Sequence, residues 1–160
     1  LNLLDDMLET MYHANGIGLA ATQIAIDKRL IVMDCGKNNL NSEEMSEEEF
    51  SETNKKETIE PYPIKMINPE IISLSDDFQD REEGCLSIPG YNANVKRPSS
   101  IKIRYTDEKK KNIILETSGL LATCIQHEID HLNGILFIDH ISKLKREIIL
   151  KKAIKEYSKN

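Results

Sequence analysis

Residues 117–134 read Thr-Ser-Gly-Leu-Leu-Ala-Thr-Cys-Ile-Gln-His-Glu-Ile-Asp-His-Leu-Asn-Gly, an apolar run that passes into a cluster of histidines and acids. Because a helix has 3.6 residues per turn, His127 and His131 lie one above the other on a single face. Cys124 and Leu120 share that face one and two turns earlier, so it should point into the protein. The closing Asn-Gly pair tolerates the left-handed conformation that ends helices. The stretch therefore predicts a buried helix with two inward-facing imidazoles.

The two histidines and Glu128 form an H-E-x-x-H pattern. In this pattern the imidazoles can supply adjacent corners of a metal's coordination sphere, and the Glu can transfer a proton without binding the metal. The alternative is a core helix with two hydrogen-bonded histidines and a surface Glu, since a pattern with two free positions also occurs by chance. A metal site needs a third ligand from elsewhere in the chain.

Cys85 is the best-placed candidate for that third ligand. It lies in Arg-Glu-Glu-Gly-Cys-Leu-Ser-Ile-Pro-Gly, residues 81–90, where turn residues bound an irregular strand. Two imidazoles and a thiolate would leave a fourth position for water, as in catalytic rather than structural sites. Cys35, at a strand end, and Cys124, at the apolar end of the helix, are less well placed. A small buried hydrophobic side chain is the alternative for each thiol.

Length and composition indicate an ordinary globular domain. Of the 160 residues, 39% are hydrophobic and 30% are charged, which is typical of proteins with a packed core. No apolar run approaches the roughly 18 residues of a membrane span, and residues 1–10 lack the basic start and the small-residue cleavage site of a signal peptide. Three distant cysteines indicate a reducing compartment, either the cytoplasm or an organelle matrix. We expect one domain over residues 1–160, a monomer, and no membrane contact.

One segment accounts for the net charge of −6. Residues 38–60 hold eight Glu and two Lys, so the rest of the chain sums to zero. Because this segment is rich in Asn, Ser and Glu and has no apolar period, it is predicted to be a flexible acidic insertion at the surface, with any helix near residues 43–50. The acidity implies no basic partner for the fold itself.

Helices and strands are predicted on both sides of the insertion. Apolar residues at helical spacing predict helices over residues 1–12 and 142–157, the second with Leu144, Ile148 and Ile149 facing inward. Between the first helix and the first strand, residues 16–23 are small apart from one amide. Two close glycines there let the backbone pass near a ligand or a packed element, although a tight connection is the commoner explanation. Strands are predicted at residues 30–33, 64–73, 99–105, 113–115 and 135–138.

Three blocks of sequence together resemble peptide deformylase. They are Gly-Ile-Gly-Leu-Ala-Ala-Thr-Gln at 16–23, Glu-Gly-Cys-Leu-Ser at 83–87 and Gln-His-Glu-Ile-Asp-His-Leu-Asn-Gly at 126–134. The resemblance runs from residue 3 to about residue 157 and is closest to the bacterial class with a helical tail. Two departures are the acidic insertion and a missing N-terminal segment that family members carry. The resemblance and the predicted elements imply an α+β fold: mostly antiparallel sheets around the central HExxH helix, with an N-terminal helix and a C-terminal amphipathic helix.

The resemblance implies a metal-dependent hydrolase that removes the formyl group from the N-formyl-methionine of nascent polypeptides and releases formate. It makes Cys85, His127 and His131 the ligands of one divalent ion per chain. Fe(II) is expected as the native metal, and Zn(II), Ni(II) or Co(II) could also occupy such a donor set.

The same resemblance assigns the catalytic roles. Metal-bound water would attack the formyl carbon, with Glu128 as general base. The Gln23 side chain and the Leu86 N–H would stabilise the oxyanion that develops.

Substrate-binding and supporting residues are implied by the resemblance as well. The substrate pocket is expected to include Ile17, Gly18, Gly84, Leu120, Thr123 and Cys124. The backbone of residues 16–18 would pair with an extended peptide like an added strand. The groups expected to support the metal ligands are Glu83, Asp130 and Arg97, the last two joined in an ion pair.

Other interpretations stay open at this point. The basic helix at 142–157 is similar to a ribosome-docking element, while a solvated helix face is the alternative for its charges. A different metallohydrolase could use H-E-x-x-H with another third ligand, and would then keep its metal after Cys85→Ser. A structural metal site in a nucleic-acid-binding module would bind phosphates in a salt-dependent way and would not respond to Glu128→Ala.

Overall fold

The computed structural model describes residues 2–37 and 60–158. The predicted acidic insertion at 38–60 lies outside them apart from Glu60, which pairs with Lys37 at 2.9 Å. Three α-helices and seven β-strands occur in the described residues. In chain order they are α1 (Asn2–His13), β1 (Gly18–Ala20), β2 (Leu30–Met33), β3 (Ile64–Leu74), β4 (Phe78–Cys85), β5 (Ile88–Pro98), β6 (Ser100–Thr106), β7 (Asn112–Ser118), α2 (Gly119–Leu132) and α3 (Lys143–Tyr157).

Two antiparallel sheets form the framework. The first has five strands in the order β1-β2-β3-β6-β7, and the second is the β4–β5 hairpin. Strand β6 shows why its sequence folds this way: Ile101 and Ile103 are buried, whereas the alternating Lys102 and Arg104 point outward, as expected for a strand with one solvated face. The α+β class predicted from the sequence is confirmed.

The five-stranded sheet packs between two helices. In β2, Ile31 and Met33 belong to the core cluster that contains α2, whereas Val32 belongs to the cluster that contains α1. All three side chains are fully buried, so β2 is a continuous apolar run because both of its faces are covered. Helix α2 is therefore held in the middle of the molecule. Eleven of its fourteen residues, including the glycine that begins it, are buried.

The predicted strand at 135–138 is wrong. Residues Phe137–His140 instead form a short 3₁₀ turn. The Leu136 N–H donates to the Asp139 carboxylate at 2.8 Å, and the Asp139 N–H donates back to the Leu136 carbonyl at 2.8 Å. This reciprocal cap fixes a turn where the apolar pattern alone suggested an extended segment.

Helix α3 is present as predicted, but its predicted inner face is partly wrong. Ile149 is buried, whereas Leu144 is 68% exposed and Ile148 is 44% exposed. The buried stripe is Ile149 and Ala153, four residues apart, which pack with Phe137 of the 3₁₀ turn and with the β4–β5 hairpin. Leu150 packs against the same cluster in part. Because α3 touches the molecule along this narrow stripe, Leu144, Ile148 and Ile154 remain exposed to solvent. No helix in the described part of the chain is long and apolar enough to cross a membrane.

Candidate metal centre

Three side chains from two elements converge at the centre of the molecule. Cys85 is the last residue of β4, and His127 and His131 lie one turn apart on α2. Their donor atoms all lie within 4.8 Å of one another. The Cys85 Sγ is 3.1 Å from His131 Nε2, and the two Nε2 atoms are 3.2 Å apart. The sulfur from the hairpin thus meets the two ring nitrogens, as the sequence predicted.

These spacings fit a bound cation. Two nitrogens that bind one ion at about 2.0–2.1 Å in tetrahedral geometry lie about 3.3 Å apart, which is close to the observed separation of the imidazoles. A thiolate and two imidazoles are also donor types that suit divalent transition metals, whereas calcium and magnesium prefer oxygen ligands. The three residues therefore suit a mononuclear transition-metal site.

A buried ionic network orients His127. Its Nδ1 lies 2.9 Å from Glu83 Oε2, which directs the other ring nitrogen, Nε2, towards Cys85. Glu83 is in turn held by Arg97 through bonds of 2.6 and 3.0 Å, and Arg97 pairs with Asp130 at 2.8 Å. The predicted ion pair between Arg97 and Asp130 is confirmed. Hydrogen bonds of this kind fix the orientation of metal-binding imidazoles in known sites.

The electrostatics of the group favour a positive charge among its donors. Burial raises the pKa of the Cys85 thiol, but hydrogen bonds with His127 and His131 outweigh burial and lower it to about 5. Burial lowers the pKa of His127, but Cys85 and Glu83 outweigh it and raise the pKa to about 10. A site that stabilises both a thiolate and a cationic ring can hold a metal cation in place of the protons.

Glu128 lies beside these donors with an unused oxygen. Its side chain is buried, and its Oε2 has no hydrogen-bond partner in the described part of the chain. Burial raises the pKa of Glu128 to about 7. Strand β1 passes so close that a Cβ on Gly18 would lie 2.3 Å from Glu128 Oε1. The sequence predicts that glycines at 16–18 allow a close approach of the backbone. Gly18 does so here, because a larger residue at this position would collide with the Glu128 carboxylate.

Gln23 and the residues after Cys85 form one rim of the centre. The Ala20 N–H donates to Gln23 Oε1 at 2.9 Å, so the amide nitrogen points the other way, 3.6 Å from Cys85 Sγ and 3.0 Å from Ser87 Oγ. The Ser87 N–H donates to the Cys85 sulfur at 3.4 Å. Leu86 lies between these two residues and lines the cleft. Sequence reasoning gave Ser87 no role, although a hydroxyl two residues after a ligand was the available signal.

A cleft of about 390 Å³ opens beside the metal centre. Strand β1 borders it on one side. Among the described strands β1 is the edge of its sheet and pairs with β2, and Gly18 of β1 lines the cleft. All six residues predicted to bind substrate line this cleft: Ile17, Gly18, Gly84, Leu120, Thr123 and Cys124. The far end of α2 is tied down by the Thr22 hydroxyl, which donates to the His131 carbonyl at 3.1 Å.

The α+β fold and this centre define a class of protein: the metal-dependent hydrolases built on a buried H-E-x-x-H helix. A family model described as polypeptide deformylase matches residues 1–147. The chain belongs to the polypeptide deformylase family, whose members are enzymes.

Individual relatives support the family assignment. The chain is 50% identical to the peptide deformylase of Agrobacterium fabrum over 155 residues, which cover 97% of this chain and 80% of that protein. It is 49% identical to the peptide deformylase of Rhizobium meliloti over 153 residues, 96% of this chain and 77% of that one. A crystal structure of peptide deformylase from Ehrlichia chaffeensis superposes with a TM-score of 0.80 at 39% identity, covering 99% of this chain and 83% of that one. A further structure from that organism is a complex with actinonin.

Proposed function

We propose that this protein removes the formyl group from N-formyl-methionyl peptides and releases formate and a free amino terminus. The observation that carries the proposal is the buried, unpartnered Glu128 Oε2 next to the three converging donors. A buried carboxylate oxygen without a partner is costly in a folded protein, so its retention at the mouth of a cleft indicates use in proton transfer. Membership of the deformylase family supports the choice of a formyl amide as substrate.

Cys85, His127 and His131 would hold the metal, for which Fe(II) is our proposed native ion and Zn(II), Ni(II) or Co(II) are accepted by the same donors. When bound, a divalent ion there supplies Lewis acidity, which lowers the pKa of water and polarises a carbonyl oxygen. Glu83 and Arg97 keep the His127 ring in the orientation that binding requires. The protein thus prepares the site before any ion enters.

Glu128 would act twice in one turnover. It first accepts the proton of the water that attacks the formyl carbon, and it then donates that proton to the nitrogen of the leaving amine. Its burial excludes competing solvent, and the contact of its carboxylate with the backbone of β1 keeps it beside the peptide. Positioned acid–base groups of this kind contribute about 10² to 10⁴ in rate.

Gln23 and the Leu86 N–H would stabilise the oxyanion. The Gln23 carboxamide is fixed through its oxygen by the Ala20 N–H, so its nitrogen is already directed towards Cys85. Preorganised donors avoid reorganisation during the reaction, and one such donor is worth about 3 kcal/mol of barrier. The bond from Gln23 to Ser87 keeps the amide in place when no substrate is present.

The free edge of β1 would bind the peptide backbone. An extended chain that adds to this edge receives backbone hydrogen bonds from one side, and its first side chain then enters the part of the cleft between Leu120 and Cys124. Both residues lie on the same face of α2 as His127. The methionine side chain would therefore contact the helix that also carries two metal ligands.

Formate release tests this function. Protein prepared without oxygen and loaded with Fe(II) should release formate from formyl-Met-Ala-Ser, and Glu128→Gln should lower the rate at least about 100-fold while the metal content stays the same. Glu116→Gln is the matched control, because Glu116 is exposed on β7 and pairs with Lys102 at the surface. Equal rates for wild type and Glu128→Gln would refute the proposal.

A further inference from the structure

A polar wall, formed by Gln79 and Arg81 of β4 with Thr123 of α2, continues from the metal centre and borders the cleft at Arg81 and Thr123. Because side chains alternate along a strand, β4 directs Gln79, Arg81, Glu83 and Cys85 to the same face, towards α2. Glu83 and Cys85 belong to the metal centre. Gln79 and Arg81 continue that face by four further residues, about 13 Å of strand. Arg81 lines the cleft, as does Thr123 on the opposing helix.

Hydrogen bonds within this wall use up almost all of its polar groups. The Gln79 amide donates to Thr123 Oγ1 at 3.0 Å and to the Gly119 carbonyl at 3.1 Å. The Thr123 hydroxyl donates to the same carbonyl at 3.1 Å. The remaining Gln79 oxygen accepts from Arg81 Nε at 3.2 Å. Gln79 and Thr123 therefore have no donor left for a ligand.

The guanidinium of Arg81 is different, because within residues 2–37 and 60–158 only its Nε donates a hydrogen bond, to Gln79, and its terminal nitrogens have no acceptor there. No carboxylate of the described residues lies within ion-pair distance of Arg81. Glu83, the acid on the same strand face, is already taken by Arg97 and His127. The wall thus presents one cation with open hydrogen-bond donors to the cleft.

The positive charge of Arg81 affects how well the cleft binds the first side chain of an N-formyl peptide. A methionine thioether is only a weak acceptor, so packing it against Arg81 removes water from the guanidinium without replacing the lost hydrogen bonds. A sulfoxide has nearly the same length and carries a strong acceptor oxygen at the position of the sulfur. The oxidised side chain restores the hydrogen bond that the thioether cannot make.

We propose that Arg81, held in place by Gln79 and Thr123, is a specificity-determining residue that allows the cleft to accept an N-formyl peptide whose first residue is methionine sulfoxide. This inference rests on the proposed deformylase activity. It requires no oxidation by the protein, since the sulfoxide is already present in the substrate. The chemistry recognised is a first side chain of methionine length that ends in a hydrogen-bond acceptor.

The test compares kcat/KM for formyl-Met-Ala-Ser and formyl-Met(O)-Ala-Ser in wild type and in Arg81→Leu. Replacement by leucine should lower the sulfoxide-to-thioether ratio by about tenfold or more, the value of one hydrogen bond to a charged group. Arg81→Lys, which keeps the charge but loses the planar fork, should retain part of the ratio and guards against a folding defect in the leucine variant. Arg104→Leu is the control, because Arg104 is exposed and pairs with Glu70 on the far sheet.

A binding measurement separates recognition from turnover. The deformylated tripeptides Met-Ala-Ser and Met(O)-Ala-Ser, titrated by calorimetry, should show the same change in relative affinity on Arg81→Leu. A ratio that moves less than about twofold, or moves equally in Arg104→Leu, would overturn the role of Arg81 and leave the deformylase activity standing. Wild-type protein that releases no formate from either peptide would overturn the proposed function, and this inference with it.

Discussion

At the scale of single residues, Glu83 connects stability with metal binding. Its carboxylate accepts hydrogen bonds from Arg97 and contacts the His127 ring, and all of this occurs in the protein interior. Burial raises the pKa of Glu83, but its bonds with His127 and Arg97 outweigh burial and hold the pKa below its ordinary value. Glu83 is therefore a buried anion that neutralises Arg97 and orients the His127 ring.

Glu83→Gln should damage both properties. A glutamine cannot neutralise Arg97, so the buried guanidinium keeps only Asp130 as a counter-ion and unfolding should become easier by about 3–5 kcal/mol, the usual cost of breaking a buried ion pair. The metal affinity should fall by about 10- to 100-fold, because the His127 ring loses its orienting partner. Urea denaturation and chelator competition measure the two effects.

Glu116→Gln provides the comparison for this prediction. Glu116 pairs with Lys102 on the surface, where such pairs contribute at most about 1 kcal/mol. If Glu83→Gln proved as mild as Glu116→Gln in both measurements, the network around Arg97 would not support the metal centre.

The residues of the centre were largely predictable, because helix geometry fixes the separation of side chains four positions apart. His127 and His131 face the same way in any α-helix, and Asp130 was correctly placed on the opposite side, against Arg97. Ser87 and Gln79 could not be found in this way. Their partners depend on how the hairpin packs in three dimensions: Ser87 meets Gln23 of the segment after β1, and Gln79 meets Thr123 of α2. A hydroxyl near a ligand can be noticed in the sequence, but the sequence does not show what it binds.

At the scale of elements, the β4–β5 hairpin could not be predicted from the sequence. Only an irregular strand around Cys85 was expected, whereas the two strands pair from Phe78 with Pro98 to Cys85 with Ile88. In β4 the one buried position is the charged Glu83, so the alternation of apolar and polar residues that predicts strands is missing from that strand. Strand β5 buries Val95 as well as Arg97, so the buried ion pair hides the pattern in β4 and weakens it at the end of β5.

Two glycines offer a test at this scale: Gly18, the first residue of β1, and Gly16, which lies just before it. In Gly18→Ala the new methyl group would meet Glu128 Oε1 at 2.3 Å and Cys124 Sγ at 2.9 Å, so either the strand or the carboxylate must shift. We expect a loss of about 1–3 kcal/mol in stability and a fall of about 100-fold in formate release, as for a misplacement of about 1 Å in a catalytic group.

Gly16→Ala is the matched variant for Gly18→Ala. Its methyl group meets Leu86 Cδ1 at 2.8 Å, which is the mobile end of a side chain that is 36% exposed and can rotate away. The fall in activity should therefore be clearly smaller. Equal losses in the two variants would show that the approach of β1 to Glu128 is not the critical contact.

At the scale of the whole molecule, a metal would join the β4–β5 hairpin to helix α2. Cys85 belongs to the β4–β5 hairpin, whereas His127 and His131 belong to the helix that packs on the five-stranded sheet. A ligand that binds only the folded state at 1,000 times its dissociation constant adds about 4.1 kcal/mol of stability. For a chain of this size that is a rise in Tm of roughly 8–16 °C.

Removal of the metal with a chelator should therefore lower the Tm by that amount, as measured by calorimetry with the metal content checked before and after. Cys85→Ser is the control, since a protein that has lost one of its three ligands should respond little to the chelator. A wild-type Tm that does not change although the ion has gone would contradict the coupling between the hairpin and α2.

The bond between Thr22 and His131 spans 109 positions of the chain, and this separation governs when activity can arise during translation. At about 5–20 residues per second, roughly 5–20 s pass between synthesis of Thr22 and synthesis of His131. Contacts between such distant segments also form slowly after release. A polypeptide interrupted before residue 131 would carry the edge of β1 without the complete ligand set, so the metal centre can form only after His131 has been synthesised.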